Sequence, residues 1–192
     1  MPAPFMIERQ EGFRFMDLTI ESIGKKADAL VRRFETRDPE LLAAALGVTI
    51  LPRPFKAQKG AYMTQLRNRY IFIREGLKDD DPAMYRIVLA HELGHDALHR
   101  AAAKAPGAFR EFNLFDMRES RLEYEANVFA AELLLPDDEV LDCIAKGYDI
   151  YEIAAALHSD VNLVALKNDL LIRRGHRFRP QEHENTFLKE ES

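Results

Sequence analysis

One cysteine, Cys143, is all that the 192 residues contain, so no internal disulfide can form and a reducing cytoplasm is expected. No run approaches the roughly 20 apolar residues that a bilayer demands, which excludes a membrane-spanning role. The opening Met1-Pro2-Ala3-Pro4-Phe5 lacks a basic stretch followed by an apolar one, so no secretory signal is expected. Cations are also in short supply: 27 Lys and Arg stand against 32 Asp and Glu, so 27 − 32 = −5. That balance argues against a non-specific nucleic-acid binder. Internal repeats and low-complexity tracts are absent. What is present is apolar material, 47 % of the residues, enough for the core of one globular domain. There are also six histidines: His91, His95, His99, His158, His176 and His183. The first three lie within nine residues.

The helical spacing of Leu18, Ile20, Ile23, Ala27, Leu30, Val31 and Phe34 predicts a first helix over 18–34. Asp38 followed by Pro39 reads as a cap and first position of a short second helix, closed by Gly47. Val48 to Leu51 reads as a strand that stops before Pro52 and Pro54. Gly60 to Leu66 and Arg69 to Arg74 read as a hairpin around Arg67-Asn68. The triple Asp79-Asp80-Asp81 before Pro82 is better read as a helix cap than as a metal site. That helix is expected from Pro82 to about Ala103, and another from about Asp116 to Leu135, stopped by Pro136. Three shorter helices follow at 137–146, 150–158 and 162–173, and a polar tail begins near Gly175.

The chemistry centres on His91-Glu92-Leu93-Gly94-His95. Residues four apart share a helix face, so both imidazoles address one point, where neutral nitrogen is a preferred zinc ligand. Glu92 sits beside them as a base for water. Shuffling this composition yields the pattern in roughly 2 % of chains, so it needs its context. The context is favourable: Ile87 to Ala90 is apolar, which places the motif on a buried helix. Gly94 weakens a helix interior by about 1 kcal/mol relative to Ala and so marks a close approach by a backbone or ligand. A catalytic zinc takes three protein ligands. The helix around Glu119 to Leu133 offers Glu123 first and Glu125 second, with Asn127 suited to hold a liganding group from behind.

These residues resemble the ImmA/IrrE-type zinc metallopeptidases, which include mobile-element anti-repressor proteases and radiation-response (stress-response) regulators. The likeness rests on Thr36 to Pro39, Ala45 to Ile50, Lys59-Gly60-Ala61-Tyr62, Val88 to His95 with His99 nearby, and Glu123 to Pro136. It covers about residues 25 to 136. The resemblance implies His91, His95 and Glu123 as ligands of Zn2+, and Glu92 as general base. It implies a zincin-like α+β fold, with a small antiparallel sheet of about three strands over the active-site helix and a helical region after it. It further implies a protease that cleaves a helix-turn-helix repressor and so relieves repression, with the repressor encoded separately because no helix-turn-helix precedes the peptidase here. A non-catalytic, partner-binding regulator that retains its zinc site is the alternative, and the intact Glu92 speaks against it.

The resulting division is 1–136 as the peptidase domain, 137–175 as a helical extension loosely like a helix-turn-helix, and 176–192 as the tail. In that extension Lys167 is the one cation between Asp149 and Leu171, against Asp149, Glu152, Asp160 and Asp169, which disfavours DNA recognition. Arg173 to Arg179 is a basic cluster, read as a solvated tail. Phe109, Phe112 and Phe115 are expected to fold over the core, and Cys143 to be a buried bystander. Tyr85, His99, Arg121 and Tyr124 lie near the motif in sequence and are read as structural, His99 as a hydrogen-bonding group that could face the cleft. An extended substrate could add to a sheet edge, with Arg69 to Arg74 as the candidate strand.

Overall fold

The computed structural model describes residues 8–100 and 117–177, with side chains from 20–100 and 121–177. Helix α1 (Glu8–Phe34) starts ahead of the apolar stripe that marks it in the sequence. It buries Ile20, Ile23 and Ala27 and ends where Glu35 turns left-handed at φ 53°. Asp38 then accepts the backbone N–H groups of Glu40 and Leu41 at 2.8 and 3.2 Å. Pro39 opens α2 (Pro39–Leu46), and Gly47, at φ 70°, closes it. Both caps fall where the sequence places them.

Strands β1 (Thr49–Arg53), β2 (Gly60–Gln65) and β3 (Asn68–Arg74) form one sheet in the order β1-β3-β2. The expected antiparallel sheet is corrected to a mixed one, because β2 runs antiparallel to β3 while β1 runs parallel to it. The cause is the link 54–59. It carries the chain across two strand spacings, about 10 Å, and leaves the slot into which β3 returns. Arg69 to Arg74 is therefore the central strand, paired on both sides and closed to a peptide. Among the described residues, β1 and β2 are the edges.

Two local readings also shift. Pro52 lies within β1, opposite Ile73, rather than beyond its end; an edge strand tolerates it, since a missing N–H need not face the partner. The hairpin turn falls at Leu66-Arg67, one residue early, with φ of 48° and 72° and Gln65 opposite Asn68. Such two-residue turns need positive φ at both positions and are usually announced by Asn-Gly. Leu-Arg carries no such signal.

A single turn, α3 (Leu77–Asp80), carries no signal in the sequence pattern; it buries Leu77 and delivers the chain to the next cap. Asp81 accepts the Met84 N–H at 2.9 Å and opens α4 (Pro82–His99). The aspartate triple is thus a turn and a cap. Helix α5 (Met117–Leu134) crosses α4 so closely that a Cβ on Gly94 would lie 3.1 Å from Ala126 Cα and 3.2 Å from Phe129 Cβ. Arg37 reaches from the α1–α2 link to the carbonyls of Glu132 and Leu133, at 3.1 and 2.9 Å, and caps the end of α5.

Helices α6 (Asp137–Ala145), α7 (Ile150–Ala156) and α8 (Val161–Arg173) follow. Asp149 and Asp160 cap the last two through the N–H groups of Tyr151, Glu152 and Asn162. One hydrophobic core runs from Ile20 and Ile23 through Leu89 and Phe129 to Leu166 and Leu171. Cys143 is buried within it, as expected. Phe109, Phe112, Phe115 and the chain beyond 177 lie outside the described residues. None of the described helices is long and apolar enough to cross a membrane.

The α4–α5 crossing yields a prediction. Gly94→Ala gains roughly 1 kcal/mol of helix propensity but forces apart two backbones, an overpacking of about 1–3 kcal/mol. Urea unfolding should show net destabilisation; a variant more stable than the parent would refute the close-contact account.

Candidate metal centre

Ile87, Val88, Leu89 and Ala90 are all buried, so α4 enters the core just before His91 and carries the motif to depth. His91 and His95, one turn apart, present their rings edge to face, with centroids 4.8 Å apart at 80°. Their Nε2 atoms stand 3.1 Å from each other. Glu123, from α5, closes the triangle with Oε2 at 3.2 Å from His91 Nε2 and Oε1 at 3.4 Å from His95 Nε2. Among the described residues this trio is the one group of histidine, cysteine and acidic side chains able to share a metal ion.

The donor set fits such an ion. Zinc–nitrogen and zinc–oxygen bonds near 2.0–2.1 Å in a tetrahedron place neighbouring donors about 3.3 Å apart. The two nitrogens stand near that spacing, and each lies near it from a different oxygen of Glu123. Two imidazoles and a carboxylate are also the ligand types of a catalytic zinc site.

Spacing alone left Glu123 and Glu125 open. The structure turns Glu123 into the histidine pair and Glu125 away, to His99 Nε2 at 2.9 Å. Behind His91, Asn127 Oδ1 lies 2.8 Å from Nδ1 and holds the ring. Behind His95, the neighbour of Nδ1 is His99 Nδ1, at 3.1 Å.

Glu92 is 6 % exposed and lies beside the trio. Burial pushes its carboxyl up to about 7, against the opposing pull of His91, with the Glu123 charge adding to the rise and the Tyr62 N–H opposing it. For Glu123 burial acts upward, yet its contacts with His91 and His95 outweigh it and hold the carboxyl well below the usual range. Burial depresses His95. At His91 burial acts the same way but is overcome by Glu123, so the net direction is up.

Asp96, Arg69 and Arg100 build the site without any motif signal, whereas Gly60 and Tyr62 belong to a block that carries the family likeness. Asp96, 1 % exposed, accepts from Tyr62 Oη at 2.7 Å, Arg69 Nη1 at 2.8 Å and Arg100 Nη2 at 3.0 Å. It thereby ties β2 and β3 to α4 beside His95. Gly60 is needed for the same seam: a Cβ there would meet Val88 Cγ1 at 2.4 Å and Glu92 Oε1 at 2.8 Å. Of the neighbours considered for the cleft, Tyr85 gives its hydroxyl to Glu40 at 3.0 Å and Arg121 binds Glu125 at 2.7 Å. Tyr124 packs half-buried against the core. His158 and His176 stand outside the trio, and His183 lies outside the described residues.

A histidine pair on a buried helix, a glutamate from the next long helix and a second glutamate alongside define a metallopeptidase-type centre beneath a small sheet. The chain belongs to the IrrE N-terminal-like domain family (Peptidase_M78), which matches residues 43–167. It is 37 % identical over 140 residues to uncharacterized immunity region protein 2 of Bacillus phage phi105, covering 72 % of this chain and 84 % of that one. It is 38 % identical over 73 residues to metallopeptidase ImmA of Bacillus subtilis strain 168, covering 36 % of this chain and 40 % of that one.

The Gly60 seam is testable without activity. Gly60→Ala should destabilise by about 1–3 kcal/mol, and Gly60→Ala combined with Val88→Ala, which removes the Cγ1 in the way, should lose clearly less than the sum of the two single changes. Strictly additive effects in urea unfolding would contradict the contact.

Proposed function

We propose that the chain is a zinc-dependent endopeptidase that acts in the cytoplasm on a regulatory protein, a helix-turn-helix repressor, and so relieves repression. The observation that carries this reading is the meeting of His91 Nε2, His95 Nε2 and the Glu123 carboxylate, one oxygen to each histidine, with the buried Glu92 beside them. When bound there, zinc supplies Lewis acidity and makes water a competent nucleophile near neutral pH. Glu92 takes the proton of the attacking water and returns it to the leaving amine. The Tyr62 N–H steadies that carboxylate, and Gly60 leaves the room in which it sits. Among the described residues β2 is an edge strand packed on α4, suited to an extended peptide added as a further strand.

The choice of a repressor as substrate rests on the family resemblance. The phage relative's name, which ties that protein to an immunity region, agrees with it. A protein partner rather than DNA is also favoured by α8. Leu163, Val164, Ala165, Leu166, Lys167, Leu170 and Leu171 are all buried, so this helix would have to leave the core to enter a groove.

The test uses a purified candidate repressor. Wild-type protein should cleave it and stop when a chelator is added, while Glu92→Gln should bind zinc as before and lose at least a hundredfold in rate. Cleavage by Glu92→Gln at the wild-type rate would sink the assignment. Zinc retained with no cleavage by wild type would favour the partner-binding alternative.

A further inference from the structure

The two histidines of the trio are held from behind by different chemistry. His91 leans on an amide, Asn127 Oδ1. His95 leans on a second imidazole: its Nδ1 is 3.1 Å from His99 Nδ1, His99 Nε2 is 2.9 Å from Glu125 Oε2, and Arg121 Nε donates to Glu125 Oε1 at 2.7 Å. His99 is buried, so the run starts in the interior seam between α4 and α5 and ends at the surface with Arg121.

Hydrogen-bond arithmetic orders the run. A carboxylate only accepts, and a neutral imidazole carries a single ring proton. With Glu125 accepting, the His99 proton sits on Nε2, and its Nδ1 bears a lone pair. That lone pair must accept, so the His95 proton sits on Nδ1. His95 Nε2 is then a bare lone pair aimed at Glu123 and His91. Reversing the bond between the two rings would move the His95 proton to Nε2 and point an N–H into the place a metal would occupy.

We propose that His99 and Glu125 form a proton-ordering arm that fixes the tautomer and ring orientation of His95 for metal binding. They are positioning residues that touch neither substrate nor the reacting atoms. Arg121 anchors the far end by holding Glu125 between two donors. The inference rests on the metal reading above, and it also explains why Glu125 is turned from the trio: it serves the second ligand from outside. Outer partners of liganding histidines commonly contribute 10–100-fold to metal affinity.

The experiment titrates the full chain with Zn2+ against a competing chelator, with metal-free melting temperatures measured alongside. His99→Phe and Glu125→Ala should each weaken zinc binding by about 10–100-fold. His99→Asn places Oδ1 where Nδ1 stood, the same acceptor that Asn127 offers His91, and should restore affinity to within a few-fold of wild type. A purely space-filling role predicts the reverse order, because Asn fills the site less well than Phe. Long-range 1H–15N spectra of zinc-loaded wild type give a second readout that needs no variant: His95 protonated at Nδ1 and His99 at Nε2. Protonation of His99 at Nδ1, or unchanged affinity in His99→Phe, overturns the arm while leaving the metal reading intact. Failure of wild type to bind zinc removes both.

Discussion

The crossing of α4 and α5 at Gly94 sets the distance over which every polar group of the centre must reach, and the rest of the structure serves to hold that crossing. Gly94 is adjacent to His95, and its contact, Ala126, is adjacent to Asn127. Two pairs of residues at one-turn spacing therefore face each other across the contact: His91 and His95 on one helix, Glu123 and Asn127 on the other. Glu123 meets both imidazoles at the inner nitrogens, and Asn127 meets one at the outer nitrogen. Helix axes separated by an extra side chain would break all of these at once, since a hydrogen bond weakens steeply with sub-ångström lengthening and poorer angle.

The sheet acts on the same crossing from the other side of α4. Asp96 takes donors from β2, β3 and the end of α4, so the strands cannot slide along the helix without leaving a buried carboxylate unpaired, a loss of several kcal/mol. Arg69 belongs to both ends of this brace, because its second nitrogen donates to the Leu46 carbonyl at the end of α2. Gly60 then sets how near β2 can come. Burial in this close seam is the main cause of the raised Glu92 carboxyl, and the Tyr62 N–H of β2 donates to it.

What can be read from the chain in advance is what is local. Asp38, Asp81, Asp149 and Asp160 cap helices through N–H groups only two or three residues away, and the His91–His95 pairing follows from helix geometry alone. The strand order does not, because β3 pairs with β1 across the whole of β2, a long-range contact that no local pattern announces. The Leu66-Arg67 turn lacks the residues that usually permit positive φ. Glu123 and Glu125 lie on opposite margins of one apolar stripe, so only the rotation of α5 against α4 decides which faces the histidines. That rotation is set by Gly94, Ala126 and Phe129 packing, a long-range fact that the family resemblance carried and periodicity did not.

Lys167 shows the same limit in charge. Counted along the sequence, it is the lone cation of an acidic helical pair; in the fold its ammonium is 1 % exposed and lies 3.0 Å from Glu132 and 2.6 Å from Asp137. Arg174 meets the same two carboxylates. The cation is thus spent inside, joining α8 to the end of α5 whose carbonyls Arg37 also holds. With Lys167 neutralised internally, the span from Asp149 to Leu171 offers no cation to solvent and keeps its acidic groups at Asp149, Glu152 and Asp160. The helices after Pro136 therefore act on the centre through α5, by fixing the end of the helix that carries Glu123.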